Sequence, residues 1–165
     1  MEEIYMKYSK QIYSYLLYLS NNRDLAEELT QETFYKAMKN INEFRGECKI
    51  DVWLCQIAKH LYYDEKSKIK KVVTINNLEN LMDENIEEEI FDKEEKKFLY
   101  KSIEYLSQTT REIILLRIKT DLSFRQIGEV IGKSENYTRV NFYRGKEQLK
   151  KLMDKYLNKE ENYEK

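Results

Sequence analysis

The stretch LSFRQIGEVIGKSENYTRVNFYRG, residues 122–145, decides the fold. Ser123 and Gln126 stand three apart, the spacing at which a capping hydroxyl and a side-chain amide each take a backbone N–H that a helix start leaves unpaired. Phe124, Ile127, Val130 and Ile131 give the short helix an apolar side, and Gly132 supplies the left-handed residue that ends it. Ser134 then caps the next helix. Two short capped helices joined by a glycine-containing turn make a helix-turn-helix, which seats its second helix in a DNA major groove.

The helical period divides that second helix cleanly. Thr138, Phe142, Gly145 and Leu149 share a face and pack, whereas Asn136, Arg139, Val140, Tyr143 and Arg144 share the opposite one. The exposed set suits base edges: arginine pairs with guanine or phosphate, asparagine with adenine, and valine or tyrosine meets a thymine methyl. Lys146, Lys150 and Lys151 follow, placed for phosphates.

Upstream of this motif the same period runs through Phe98, Leu99, Ile103 and Leu106. Thr109 to Glu112 offer a capping box for a helix holding Ile113, Ile114, Leu115, Leu116 and Ile118. At the other end of the chain, Ile4, Tyr8, Ile12, Tyr15, Leu16 and Leu19 recur every three or four residues and predict an amphipathic helix. A second helix is expected after the break at Asn21-Asn22-Arg23, capped by Asp24 with Glu27 and reaching about Met38. One side of it, Leu25, Ala26, Leu29, Thr33 and Ala37, packs. The other, Asp24, Glu27, Glu28, Gln31 and Tyr35, is polar and mostly acidic. A looser stretch over 42–47 precedes a third helix carrying Trp53, Leu54, Ile57, Ala58 and Leu61, which ends in the basic run Lys66 to Lys71. A short helix is expected around Leu78 to Met82.

With four glycines and no prolines in 165 residues, the turn residues of hairpin-rich sheets are nearly absent, so the fold class is all-α. The 41% hydrophobic and 36% charged content suits two small helical units with large solvated surfaces. The formal net charge of −1 conceals a division along the chain. Residues 35–71 hold nine Lys and Arg against five Asp and Glu, and residues 122–165 hold ten against seven. Between them, residues 72–98 hold three against nine. Two basic blocks flanking an acidic one imply two polyanion-facing modules and a connector that avoids DNA.

Cys48, Cys55 and the single histidine, His60, do not have the paired short spacings of structural zinc sites, so reduced, inert thiols and no metal or cofactor are expected. A catalytic Cys-His pair would need a third orienting group that the sequence does not identify, and no enzymatic activity is expected. The amino terminus lacks a basic segment followed by an apolar run, and no stretch reaches the roughly 20 apolar residues of a bilayer span. A cytoplasmic protein without membrane insertion is the expectation.

Two further stretches carry a family resemblance. DLAEELTQETFYKA, residues 24–37, resembles the polymerase-binding helix of the extracytoplasmic-function (ECF, group 4) sigma factors of bacterial RNA polymerase. FRGECKIDVWLCQIAKHLYYD, residues 44–64, resembles their segment that melts and reads the promoter element nearest the start site. The carboxyl half, from Leu106 to Leu149, is similar to their second promoter-reading domain. The resemblance implies a sigma region-2-like bundle at 1–71, a flexible acidic linker at 72–95, a region-4-like helix-turn-helix domain at 96–158 and a tail at 159–165.

It also implies roles. Glu27, Glu28, Gln31, Glu32 and Phe34 would meet the clamp helices of the polymerase's largest subunit. Lys49, Gln56, Lys59, His60, Tyr63 and Lys66 would hold the non-template strand of the proximal element, with a flipped base taken up between Arg45 and Val52. Arg125, Ser134, Asn136, Arg139, Val140, Tyr143, Arg144 and Lys146 would read the distal element. The expected partners are core RNA polymerase, promoter DNA and an anti-sigma factor. The family commonly has Asn where this chain has His60, and Leu-Pro where it has Leu106-Ser107. Two other functions fit the residues alone: a stand-alone helix-turn-helix regulator, and a helical protein-interaction module with no nucleic-acid role.

Overall fold

Ile12, Tyr15, Leu16 and Leu19 recur at helical spacing, and in the computed structural model they are the buried side of α1 (Glu2–Ser20). The structure describes the backbone of residues 1–72 and 93–163. Within them it contains seven α-helices, one short 3₁₀ turn and no strand. The expected helix at Leu78 to Met82, and most of the expected linker, lie outside the described residues.

Asn21 ends α1 in the left-handed conformation at φ 51°. Asn22 is then extended, and its side-chain oxygen accepts the N–H of Leu25 at 3.0 Å, so it and not Asp24 caps α2 (Arg23–Lys39). The left-handed turn delivers the chain to the helix start two residues earlier than the Asp-Leu pattern suggested. Asp24 instead places its carboxylate in the first turn, where the helix dipole favours it. Ala26, Leu29, Thr33 and Ala37 are buried, as the period requires. The stretch after α2 forms the 3₁₀ turn Ile41–Glu43, and then α3 runs from Ile50 to Val72. Trp53 packs against Phe44, with ring centroids 4.9 Å apart. Helices α1, α2 and α3 pack on one another as an amino-terminal bundle.

The carboxyl-terminal helices are α4 (Lys93–Ile103), α5 (Gln108–Lys119), α6 (Phe124–Ile131) and α7 (Glu135–Tyr163). Ser107 caps α5 by accepting the N–H of Thr110, so the expected capping box at Thr109 to Glu112 does not form. Glu112 has a different use, because it is only 4% exposed and points at the amino-terminal bundle. α7 packs on α4, α5 and α6, while α1 packs on α5 and α3 on α6, joining the two halves.

Candidate nucleic-acid interface

The helix-turn-helix forms as its caps dictate. Ser123 N–H donates to Gln126 Oε1 at 2.9 Å and Gln126 N–H donates to Ser123 Oγ at 3.2 Å, which closes a reciprocal capping box. Gly132 ends α6 at φ 69°, and Ser134 Oγ accepts the N–H of Tyr137 at 3.1 Å to start α7. Gly128 sets the tightness of the turn: a Cβ there would lie 2.5 Å from the carbonyl oxygen of Lys133.

Thr138, Gly145 and Leu149 are buried on the packed side of α7. Arg125, Ser134, Asn136, Arg139, Val140, Tyr143, Arg144 and Lys146 are all exposed along the outer side of α6 and α7. Tyr143 is 54% exposed, enough to present its ring to a groove. Arg139 pairs with Glu135 one turn back, and Arg125 lies 3.5 Å from Glu129. The sequence did not single out the aromatic base of this face. Phe124 packs on Phe142 with ring centroids 5.3 Å apart, and the guanidinium groups of Arg117 and Arg139 lie 5.0 and 5.9 Å from its ring. Both distances are within the range of a cation–π contact.

The second basic face is on α3. Gln56, Lys59, His60, Tyr63 and Lys66 fall within an arc of about 120° on the helix. His60 is exposed, and Lys66 lies 5.6 and 5.9 Å from the rings of Tyr62 and Tyr63. Three of the set face the carboxyl-terminal helices. Gln56 Nε2 donates to the carbonyl of Glu129 at 3.0 Å, Lys59 Nζ lies 3.6 Å from one Glu112 oxygen, and Tyr63 donates its hydroxyl to the other. Burial and this bond to Glu112 push the Tyr63 hydroxyl well above its ordinary pKa. Lys49 stands apart at a cleft of about 400 Å³ between the halves, shared with Lys7, Gln11, Asp121 and Gln126. Residue spacing could not have revealed Glu112 as a partner, since it contacts residues 49 and more positions away.

On α2, Glu27, Glu28 and Gln31 are exposed and Glu32 is half-buried. Glu28 and Glu32, with Asp64 and Glu65 of α3, line a groove of about 260 Å³ that Lys36 and Lys68 share, Lys68 paired with Glu65. Phe34 is set apart from these polar residues, 6% exposed with Tyr5 edge-on to its ring at 4.9 Å. Cys48 and Cys55 are free thiols, and burial pushes Cys55 up to about 12.

A helix-turn-helix with an exposed basic reading face, joined to a helical bundle with a second basic and aromatic face, defines a class of DNA-reading proteins. The comparisons narrow it. Residues 4–72 match the model of the sigma-70 region 2 family. The chain is 28% identical to the ECF RNA polymerase sigma factor SigM of Bacillus subtilis, over 97% of this chain and 99% of that one. It is 26% identical to the RNA polymerase sigma factor YlaC of the same organism, over 94% and 92%. Its fold matches the sigma factor RpoE solved with the anti-sigma factor NepR from Bartonella quintana, at a TM-score of 0.76 and 19% identity over 93% of this chain and 96% of that one. It also matches CnrH, solved with the cytosolic domain of CnrY, at 0.68 and 14% over 93% and 86%. Residues 4–72 thus match the sigma-70 region 2 family, and nearly the whole chain is similar to extracytoplasmic-function sigma factors of bacterial RNA polymerase.

Proposed function

We propose that the chain directs core RNA polymerase to a set of promoters through three surfaces. The exposed face of α7, centred on Arg139, Val140, Tyr143 and Arg144, reads the distal element in duplex form, with Arg125, Ser134, Asn136 and Lys146 at its borders. The observation that carries this reading is the helix-turn-helix itself: both caps and the left-handed glycine are in place, and the basic reading face is left to solvent.

The α3 face captures the unpaired non-template strand of the proximal element, Lys49, Lys59 and Lys66 taking phosphates and Tyr63 stacking on a base. Gln56 and His60 offer hydrogen bonds to base edges. The third surface is the acidic side of α2, where Glu27, Glu28, Gln31 and Glu32 meet the clamp helices of the polymerase, and Phe34 supports them from beneath. An acidic face repels DNA and attracts a basic protein surface.

The division into a region-2-like domain at 1–71 and a region-4-like domain at 96–158 gives each reader its own bundle. Linked readers raise each other's effective concentration, so a weak contact at each element suffices. The protein works in the cytoplasm, supplies no catalytic group and needs no cofactor. An anti-sigma factor, the partner in the RpoE structure, is a fitting regulator.

Run-off transcription from a promoter library with core polymerase tests the reading. Selective initiation that requires the protein is expected. Initiation indifferent to it would overturn the assignment, and tight promoter binding by the protein alone would favour the stand-alone regulator.

A further inference from the structure

The reading face of α7 carries a carboxylate where a polyanion has to dock. Glu135 is the first residue of the helix, and the first turn of a recognition helix is the part that reaches base edges. A negative charge there works against the phosphates on either side of the groove. The side chain is committed to that face all the same. Arg139, one turn on, donates from its guanidinium to the Glu135 carboxylate, and the ring of Phe124 lies 5.9 Å from the same guanidinium. Arg125 repeats the pairing on α6, 3.5 Å from Glu129 four residues later.

Stability does not account for the pair. The two side chains are 49% and 46% exposed, and exposed ion pairs add little to a fold. The helix start is already held by Ser134, whose hydroxyl accepts the N–H of Tyr137, and by buried Thr138. Base reading does account for it. A guanidinium is a planar fork of several N–H donors, so one bond to a carboxylate fixes its plane and leaves the others open. Pairing also cancels its charge, and charge is what attracts phosphates of any sequence. Donor geometry, which the pair keeps, is what recognises the O6 and N7 acceptors of guanine.

We propose that Glu135 is a specificity-determining positioning residue: it holds Arg139 as a hydrogen-bond fork for one guanine of the distal element and withholds it from the phosphates. The inference rests on the reading of α7 given above. Arg144 and Lys146, exposed farther along the helix, carry the phosphate attraction. Glu135 thus lowers affinity for DNA in general and raises discrimination, which is a difference between affinities and grows when the wrong sequence is penalised.

The test uses the full chain as wild type, Glu135→Ala, Arg139→Ala and the double variant. Base preference is measured by selection from a randomised distal element with core polymerase present. Affinity of the chain for a labelled mixed-sequence duplex is measured by fluorescence anisotropy over a range of salt, and melting temperature is followed by circular dichroism. Arg139→Ala is expected to erase the preference for guanine at one position. Glu135→Ala should weaken that same preference at least about threefold, near the low end of coupling between paired groups. It should also bind the mixed duplex at least about threefold more tightly, with a salt slope steeper by about 0.9, the value of one added phosphate contact. In the double variant the preference should match that of Arg139→Ala alone.

A further loss of preference in the double variant would mean that Glu135 touches a base itself, which overturns the positioning role. Preference unchanged by Glu135→Ala, or mixed-duplex affinity that falls, would overturn it as well. If Glu135→Ala lowers the melting temperature, Glu135→Gln, which keeps the size and loses the charge, decides on the same criteria. Preference lost with Arg139→Ala but kept with Glu135→Ala sinks the role of Glu135 alone, whereas preference kept with Arg139→Ala sinks the reading of α7 on which it rests.

Discussion

Tyr63 of α3 donates its hydroxyl to Glu112 of α5, and Lys59, one turn earlier, approaches the other oxygen of the same carboxylate at 3.6 Å. A nearly buried carboxylate is stable only while its charge is answered, so the three residues act as a unit. Hydrogen bonds to charged groups contribute about 1.5–3 kcal/mol. A double-mutant cycle of Tyr63→Phe and Glu112→Gln, followed by urea unfolding, is therefore expected to give a coupling energy of about 1–2 kcal/mol. Additive effects would show that the two side chains are neighbours without interacting.

Cys55 offers a test of the amino-terminal core. It is 2% exposed, and burial raises its thiol from the ordinary 9.0 to about 12. A folded-state value above the unfolded one contributes stability that is complete below pH 9 and lost as pH climbs from 9 towards 12. Stability by urea denaturation should fall over that window, and Cys55→Ala should flatten the fall while lowering stability near neutrality. At pH 8, a thiol reagent should modify half-buried Cys48 in the native chain and reach Cys55 only in denaturant. Equal native reactivity would contradict the packing of α3.

Gly128 fixes the turn between α6 and α7. Its missing Cβ would fall 2.5 Å from the Lys133 carbonyl, and that neighbour is backbone rather than the end of a flexible side chain. Gly128→Ala must push α6 and α7 apart, at a cost of about 1–3 kcal/mol. A fall in melting temperature with weakened duplex binding is expected; unchanged values for both would mean that the turn relaxes freely.

Residues whose role is local were legible in the sequence. The box at Ser123 and Gln126, the left-handed Gly132 and the cap at Ser134 are satisfied by neighbours three or four positions away, and all three formed as expected. The first cap of α2 was misplaced by two residues because the left-handed Asn21 that precedes it is not a glycine and leaves no compositional mark. Glu112 was read as a capping acid because it follows Thr109 by three. Its burial follows from where α5 lies against α1 and α3, which no local pattern encodes. The same holds for Phe34: the family resemblance grouped it with the acidic face, but it is buried and α1 lays Tyr5 across it.

The acidic side of α2 carries the polymerase prediction. Glu28 and Glu32 stand one turn apart beside a groove where four carboxylates outnumber the two lysines, Lys36 and Lys68. Glu28→Lys with Glu32→Lys should weaken association with core polymerase at least about tenfold, a loss of about 1.4 kcal/mol or more. Single-stranded DNA binding should not weaken, because lysine on α2 removes repulsion. Unchanged polymerase affinity, measured by biolayer interferometry, would remove the clamp assignment from this face.

The reading role proposed for α7 gives the sharpest test of a division of labour. Arg139 lies 5.9 Å from the ring of Phe124 and is paired with Glu135, while Arg144 is exposed farther along α7. Neither arginine touches the acidic face of α2, and neither is buried in the carboxyl-terminal core. A bidentate arginine contributes about 1–3 kcal/mol of discrimination between bases. Arg139→Ala with Arg144→Ala should therefore cost at least about tenfold in discrimination at the distal element and flatten the salt dependence of duplex binding. Polymerase affinity and melting temperature should hold. Selection from a randomised distal element, with the variant beside the wild type, separates the outcomes. Selectivity retained by the variant would move base reading off this face, and lost polymerase affinity would mean that the surfaces are not separate. Weakening at every sequence by the same factor would identify the two arginines as phosphate contacts and leave base reading to Asn136, Val140 and Tyr143.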